Sequence, residues 1–146
     1  MILYVDTSAL VKRYIREARS DEVIKVSEQS EAVGSSVLTR VEMAATFAKA
    51  VRLGWVEDKK ALRAWKDYLD HWPFFTRLVV STSMVERASE LAWEYGLRGY
   101  DAMHFASALI WQDALASPIT LATFDRGLWL AAQKSGMDIW PLDLDK

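Results

Sequence analysis

Cysteine is absent from the 146-residue chain. That excludes disulfides, thiolate catalysis and Cys-ligated zinc or iron–sulfur centres, and it fits a reducing compartment. Three prolines and six glycines are too few for a linker or a low-complexity stretch, and no internal repeat is present, so residues 1–146 read as one domain with a folded radius of gyration of about 15 Å. No apolar run approaches the ~18 residues of a membrane span. In the opening MILYVDTSALVKRY the apolar residues precede the basic ones, the reverse of a secretory leader, so a cytoplasmic protein with no membrane partner is expected. There is no Gly-rich P-loop, GxGxxG, GxSxG, HExxH or zinc-deaminase pattern, which leaves triphosphate hydrolysis, dinucleotide binding and the usual serine hydrolase without an anchor. A basic excess is missing too, since 18 Lys and Arg face 20 Asp and Glu for a net charge of -2. The average hides an asymmetry: residues 1–80 carry 13 basic and 11 acidic side chains, net +2, and residues 81–146 carry 5 and 9, net -4. Carboxylates gathered on a metal would leave the remaining surface less acidic than the total, so a polyanionic partner is allowed.

What is present is an alternation of short apolar runs and helical segments. MILYV reads as a buried strand, and DTS after it opens a helix over 7–17. A helix over 20–30 follows, with Ser20 as its cap and Asp21 and Glu22 in the first turn. The strand candidate at 32–38 is weakened by its glycine and serines. Helices are expected over 39–53, ended by Gly54, and over about 56–70, ended near Pro73. FTRLVV at 75–80 is a strand, Ser81 a cap, and 82–95 a helix stopped by Gly96. A mostly apolar helix runs from Asp101 to Trp111, a strand spans 118–123, a helix about 125–135 ends at Gly136, and a last strand covers 137–140. This order implies an α/β fold with a mainly parallel sheet covered on both faces.

Four acids fall at the ends of these elements. Asp6 and Asp125 follow strands at the carboxyl edge, where open α/β sheets place ligand sites. Glu42 lies in the first turn after the second strand, and Asp101 starts an apolar helix close to the core. Carboxylates brought together repel unless compensated, and oxygen-only ligands favour Mg2+ or Mn2+ over zinc. Such an ion activates water and polarises a phosphoryl oxygen, which suits phosphodiester hydrolysis. Each acid also has a structural reading. Thr39-x-x-Glu42 matches a capping box, Asp101 and Asp6 fit caps of their own helices, and Asp125 fits a cap or a turn with Gly127. Ser8 and Thr123 are placed to orient a carboxylate or water, or are ordinary element-end residues. Arg98 is placed to reach a phosphate or to pair with an acid. His104, one turn after Asp101, reads as a packing position with one hydrogen bond. Lys59, Lys60, Arg63 and Lys66 share one helix, as an RNA guide or a solvated face. The seven tryptophans are expected in packing, with a large share at a protein interface, and otherwise as stacking platforms for bases.

YVDTSALVK at 4–12, TRVEMAATF at 39–47, GYDAMHFASA at 99–108 and LATFDRGL at 121–128 occur in an order that resembles the PIN-domain ribonucleases of VapC type, toxins of toxin–antitoxin pairs. The resemblance covers nearly the whole chain. It implies a three-layer α/β/α fold with a central, mainly parallel sheet of about five strands, and Mg2+-dependent endonucleolytic cleavage of RNA, with Mn2+ as a substitute. Asp6, Glu42, Asp101 and Asp125 correspond to the family's acidic positions, catalytic and metal-binding, with Ser8 and Thr123 beside them. It further implies 5′-phosphate and 3′-hydroxyl products, a homodimer, and a small VapB-type antitoxin partner. Two other readings stay open, a metal-dependent α/β phosphatase and a non-catalytic interaction module. Against the haloacid-dehalogenase type of phosphatase, Ser8 stands where a second Asp is expected.

Overall fold

In the computed structural model, which describes residues 1–146, the apolar run Ile2–Val5 forms β1, the middle strand of the sheet. The chain continues through α1 (Thr7–Tyr14), α2 (Ser20–Gln29), β2 (Ala32–Ser36), α3 (Leu38–Arg52) and α4 (Asp58–His71). A 3-10 turn at Trp72–Phe74 leads to β3 (Thr76–Leu78), then α5 (Thr82–Tyr95) and α6 (Gly99–Leu115). β4 (Thr120–Ala122), α7 (Arg126–Ser135) and β5 (Asp138–Trp140) complete the fold. The strand order is β3-β2-β1-β4-β5 and every pairing is parallel.

Because side chains alternate across a strand, β1 is apolar on both faces and serves two cores. Leu3 and Val5 pack with Leu10 of α1, Met43 and Phe47 of α3 and Tyr68 of α4. Tyr4 points the other way, among Met84 of α5, Phe105 and Trp111 of α6 and Leu128 of α7. The result is a three-layer α/β/α sandwich. Each fully buried large apolar side chain contributes about 1.5–3 kcal/mol relative to exposure. The chain runs outward from β1 to β2 and β3 on one side, and β4 and β5 lie on the other, so the direction reverses between β1 and β4. The carboxyl ends there form the crevice in which parallel α/β sheets hold ligands. No helix is long and apolar enough to cross a membrane.

Several expectations from sequence are corrected by tertiary context. The Thr39–Glu42 capping box does not form: α3 begins at Leu38, its preceding residue Val37 is itself helical, and no side chain caps it. Thr39 is instead fully buried, its hydroxyl 2.6 Å from that of Ser35. Ser20 is the first residue of α2 rather than its cap, a position taken by Arg19 in left-handed backbone. The helix expected from Asp101 begins at Gly99 and continues to Leu115, so Asp101 lies inside its first turn without capping it. Trp72 and Trp111 are buried, Trp65, Trp129 and Trp140 are partly buried, and only Trp55 and Trp93 project, at 70% and 91% exposure. Most of the tryptophans therefore pack within the chain itself.

Gly34 weakens β2 by propensity, yet the packing requires it. A Cβ there would lie 2.6 Å from Trp111 Cζ3 and 3.1 Å from the Thr76 carbonyl. The glycine lets the α6 tryptophan close against the sheet. Gly34→Ala is expected to destabilise the fold by about 1–3 kcal/mol through overpacking, read as a lower urea midpoint at unchanged slope. Trp111→Leu in the same chain should soften the penalty; full stability of Gly34→Ala alone would show that the indole shifts freely.

Candidate active site

β1 ends at Val5, and the next residue, Asp6, turns the chain into α1. Its carboxylate is 2% exposed, an unfavourable place for a charge unless it is solvated by the protein. Three donors converge on it. Ser8 Oγ donates to Oδ1 at 2.7 Å, the Ala9 amide to the same oxygen at 3.0 Å, and Thr123 Oγ1 to Oδ2 at 2.6 Å. The Ala9 bond is the N-cap of α1, so Asp6 both starts the helix and lines the crevice. Ser8 accepts from the Phe124 amide at 2.9 Å and Thr123 from the Asp125 amide at 3.0 Å. Both hydroxyls thus have their protons committed to Asp6 and tie the segment after β4 to the end of β1.

Asp125 follows the same logic. Its Oδ1 accepts from the Leu128 amide at 2.9 Å, capping α7, and its Oδ2 accepts from Arg98 at 2.6 Å. The same guanidinium donates to Asp101 Oδ2 at 2.9 Å, so Arg98 bridges two of the acids. Glu42 is held from a third direction, by His104 Nε2 at 2.7 Å from Oε1. His104 is 2% exposed, and its Nδ1 lies 2.8 Å from the Tyr4 hydroxyl. Tyr4 accepts from the Ser36 amide at 3.1 Å, and burial pushes its phenol pKa up, so it stays protonated. Its proton donated to Nδ1 directs the Nε2 proton toward Glu42. The relay runs from β1 through α6 to α3.

Six of the seven residues anticipated from sequence, Asp6, Ser8, Glu42, Arg98, Asp101 and Asp125, line one cavity of about 260 Å3, together with Thr7, Val11, Thr46 and His104. Thr123, fully buried, lies beneath it against Asp6. Sequence reasoning missed Tyr4 as a polar participant and treated His104 as packing; the signal available was a single imidazole one helical turn after Asp101. Thr7 Oγ1 is buried in the same wall with no hydrogen-bond partner.

The electrostatics are those of crowded acids held by the Arg98 cation and by neutral protein donors. Burial raises the Asp6 carboxyl above its ordinary pKa, against the pull of His104, Thr123, Ser8 and the Ala9 amide. Asp101 is also raised, chiefly by burial and further by the Asp125 charge, with Arg98 opposing. Burial works against a charge on His104, but Glu42, Asp6 and Asp101 outweigh it and lift the imidazole above its usual value. In this arrangement no three acidic or imidazole side chains form a ready metal-holding group. Their oxygens are turned to protein donors: Glu42 to His104, and Asp101 and Asp125 to Arg98.

The family model described as PIN domain matches residues 3–133. The chain belongs to the PIN-domain family. Ribonuclease VapC45 of Mycobacterium tuberculosis is 35% identical over 146 residues, covering 99% of this chain and 98% of that protein, which places the chain with the VapC-type members. The crystal structure of PAE2754 from Pyrobaculum aerophilum is 27% identical, with a TM-score of 0.63 over 95% of this chain and 83% of that one. VapBC2 from Rickettsia felis, solved bound to a DNA fragment from its promoter, shares the fold at 13% identity, with a TM-score of 0.64 and coverage of 98% and 100%.

The buried acid gives a stability prediction for this PIN domain. With its folded pKa raised, Asp6 retains a proton that the unfolded chain has already released, so unfolding free energy falls as pH rises from the ordinary aspartate value through the folded one. Asp6→Asn removes that loss. In metal-stripped protein at pH 7.5 the variant is expected to melt at a higher temperature than the parent, with the gap closing toward pH 4. A lower melting temperature at pH 7.5 would mean that the three donors outweigh burial.

Proposed function

We propose that the chain is a metal-dependent endoribonuclease that cleaves RNA phosphodiester bonds and acts as the toxin of a toxin–antitoxin pair. The observation that carries this is the convergence of Asp6, Glu42, Asp101 and Asp125 on one cavity at the switch point of the sheet. The names of its VapC relatives as ribonucleases support the same reading, as does the fold shared with a toxin–antitoxin complex from Klebsiella pneumoniae.

The donor set fits Mg2+, with Mn2+ as a substitute: it is made of hard carboxylate oxygens, without sulfur. Asp6, Glu42, Asp101 and Asp125 would hold it. The Arg98 side chain is 78% exposed, so it can swing off Asp101 and Asp125 and leave their oxygens free. When bound, the ion supplies a more nucleophilic water and a polarised phosphoryl oxygen. The protein does the positioning. Ser8, Thr123 and the Ala9 amide fix the Asp6 carboxylate, His104 fixes Glu42, and the released Arg98 guanidinium offers paired donors to a phosphate. In-line attack would leave a 5′-phosphate and a 3′-hydroxyl.

Antitoxin-free protein should cut a mixed transfer- and ribosomal-RNA pool into discrete 5′-phosphorylated fragments with Mg2+. EDTA and Asp6→Asn should each abolish the cutting, and His104→Phe should slow it about 10- to 100-fold, as expected when a carboxylate loses its orienting partner. Hydrolysis of a small phosphate monoester without action on RNA would replace this reading by a phosphatase. Biological activity unchanged by Asp6→Asn would replace it by a binding module.

A VapB-type antitoxin and a homodimer complete the proposal. Between α5 and α6 lies an apolar groove of about 380 Å3 lined by Val85, Ala88, Ala92, Tyr100 and Met103 among others, and Tyr100 adjoins Asp101, so a second copy there would stand at the rim of the site. Light scattering should give twice the 16.6 kDa chain mass, and Val85→Asp should give the monomer. A monomeric parent chain would remove the dimer from the proposal.

A further inference from the structure

The catalytic cavity does not end at the four acids. α1 and α3 run side by side away from the carboxyl edge of the sheet, and the furrow between them continues the cavity. Val11 of α1 and Thr46 of α3 line both the catalytic cavity and a second one of about 430 Å3, which extends to Lys49, Ala50, Trp55 and Val56. Trp55, Val56, Ile15 and Arg16 then line a third cavity of about 650 Å3, which reaches Lys60 and Arg63 on α4. The three form one path from the acids to a tryptophan and a row of cations.

Trp55 is built into this path and yet not covered. Its side chain belongs to a residue 70% exposed, an unfavourable position for the largest apolar ring unless something stacks on it. The backbone beneath it is fixed: α3 ends at Arg52, Gly54 takes a left-handed conformation at φ 74°, and the Trp55 amide bonds back to the Ala50 carbonyl at 2.8 Å. Lys49 Nζ stands 6.0 Å from the indole centroid. Arg16 is held by Asp21 and Glu17 by Lys12, and Glu57 and Asp67 line the third cavity beside Lys60 and Arg63. Lys49, Lys60 and Arg63, by contrast, take part in none of the fold's ion pairs, and Lys59 and Lys66 extend the exposed cationic row on α4.

We propose that Trp55 is a stacking platform for an unpaired base of the RNA substrate, with Lys49, Lys60 and Arg63 holding the flanking phosphates. The proposal rests on the nuclease reading. An aromatic face exposed beside cations is the combination that binds single strands, whose bases have free faces, whereas a duplex presents none. Glu42 and Lys49 are seven residues apart on α3, about 10 Å of helix, so the platform stands within a few nucleotides of the cleaved bond.

The test uses Asp6→Asn chain, which binds without cutting, and a fluorescein-labelled single-stranded RNA 12-mer, alone or annealed to its complement. Adding Trp55→Ala is expected to weaken single-strand binding about 10-fold or more and duplex binding much less, with Trp55→Phe restoring most of the loss. Lys60→Gln with Arg63→Gln should reduce the salt dependence, log K against log salt, by about 1.4, the share of two phosphates on a single strand. Thermal melting checks that the variants fold. Single-strand affinity unmoved by Trp55→Ala, or lost equally for the duplex, overturns the platform; a groove that instead takes an apolar peptide would give the unmoved result. The nuclease reading is judged separately, by cleavage of the RNA pool with Asp6 intact. Cutting that is equally fast in Trp55→Ala leaves the nuclease and removes the platform, while no metal-dependent cutting removes the nuclease.

Discussion

The organisation of this PIN domain depends on holding one carboxylate out of water. Asp6 ends the central strand, and at 2% exposure its charge must be solvated by protein groups or neutralised. The donors that do this come from α1 and from the residue after β4. They meet only if β1 and β4 are adjacent and parallel, with Val5 in register with Ala122. The polar chemistry of the crevice and the topology of the sheet therefore impose the same strand order. A local shift of β4 would cost pairing, and it would also strip Thr123 from Asp6.

Helix capping and site formation turn out to be the same event at two of the four acids. Asp6 caps α1 with one oxygen, and Asp125 caps α7 with one oxygen, leaving the other oxygen of each for Thr123 and Arg98 respectively. A carboxylate at a helix start is pinned by the backbone and stabilised by the helix dipole. That is a rigid way to aim its second oxygen. Capping and ligand binding are opposed readings of a sequence, but geometrically they share one side chain.

Legibility of the fold and site followed the range of the interactions. Apolar runs and helix stops declared the five strands and the carboxyl edge, and with the edge came Asp6, Glu42, Asp101 and Asp125, because their placement follows from neighbours within a few residues. What escaped depends on long-range packing. Tyr4 and His104 are 100 residues apart and meet because α6 crosses the face of β1; a tyrosine in an apolar strand and a histidine in an apolar helix each look like core. Thr39 looked like a cap because the text Thr-x-x-Glu is local, whereas Ser35 and burial decide its actual role. Gly34 looked like a weak point in a strand, and only the position of Trp111 explains it.

Arg98 and His104 have opposite fates in the charge balance. His104 is enclosed, and its partners Tyr4 and Glu42 leave it no alternative, so it is a fixed support. Arg98 is mostly in solvent, and its bonds to Asp101 and Asp125 compete with water on its exposed side. Exposed ion pairs are worth little and are screened by salt, while pairs to an enclosed group are broken only at the cost of leaving a buried charge alone. The cavity is thus rigid on its Glu42 side and openable on its Asp101–Asp125 side. Any cation that takes Arg98's place must offer those two carboxylates more than a surface guanidinium does, a low threshold for a divalent ion and a high one for a monovalent ion.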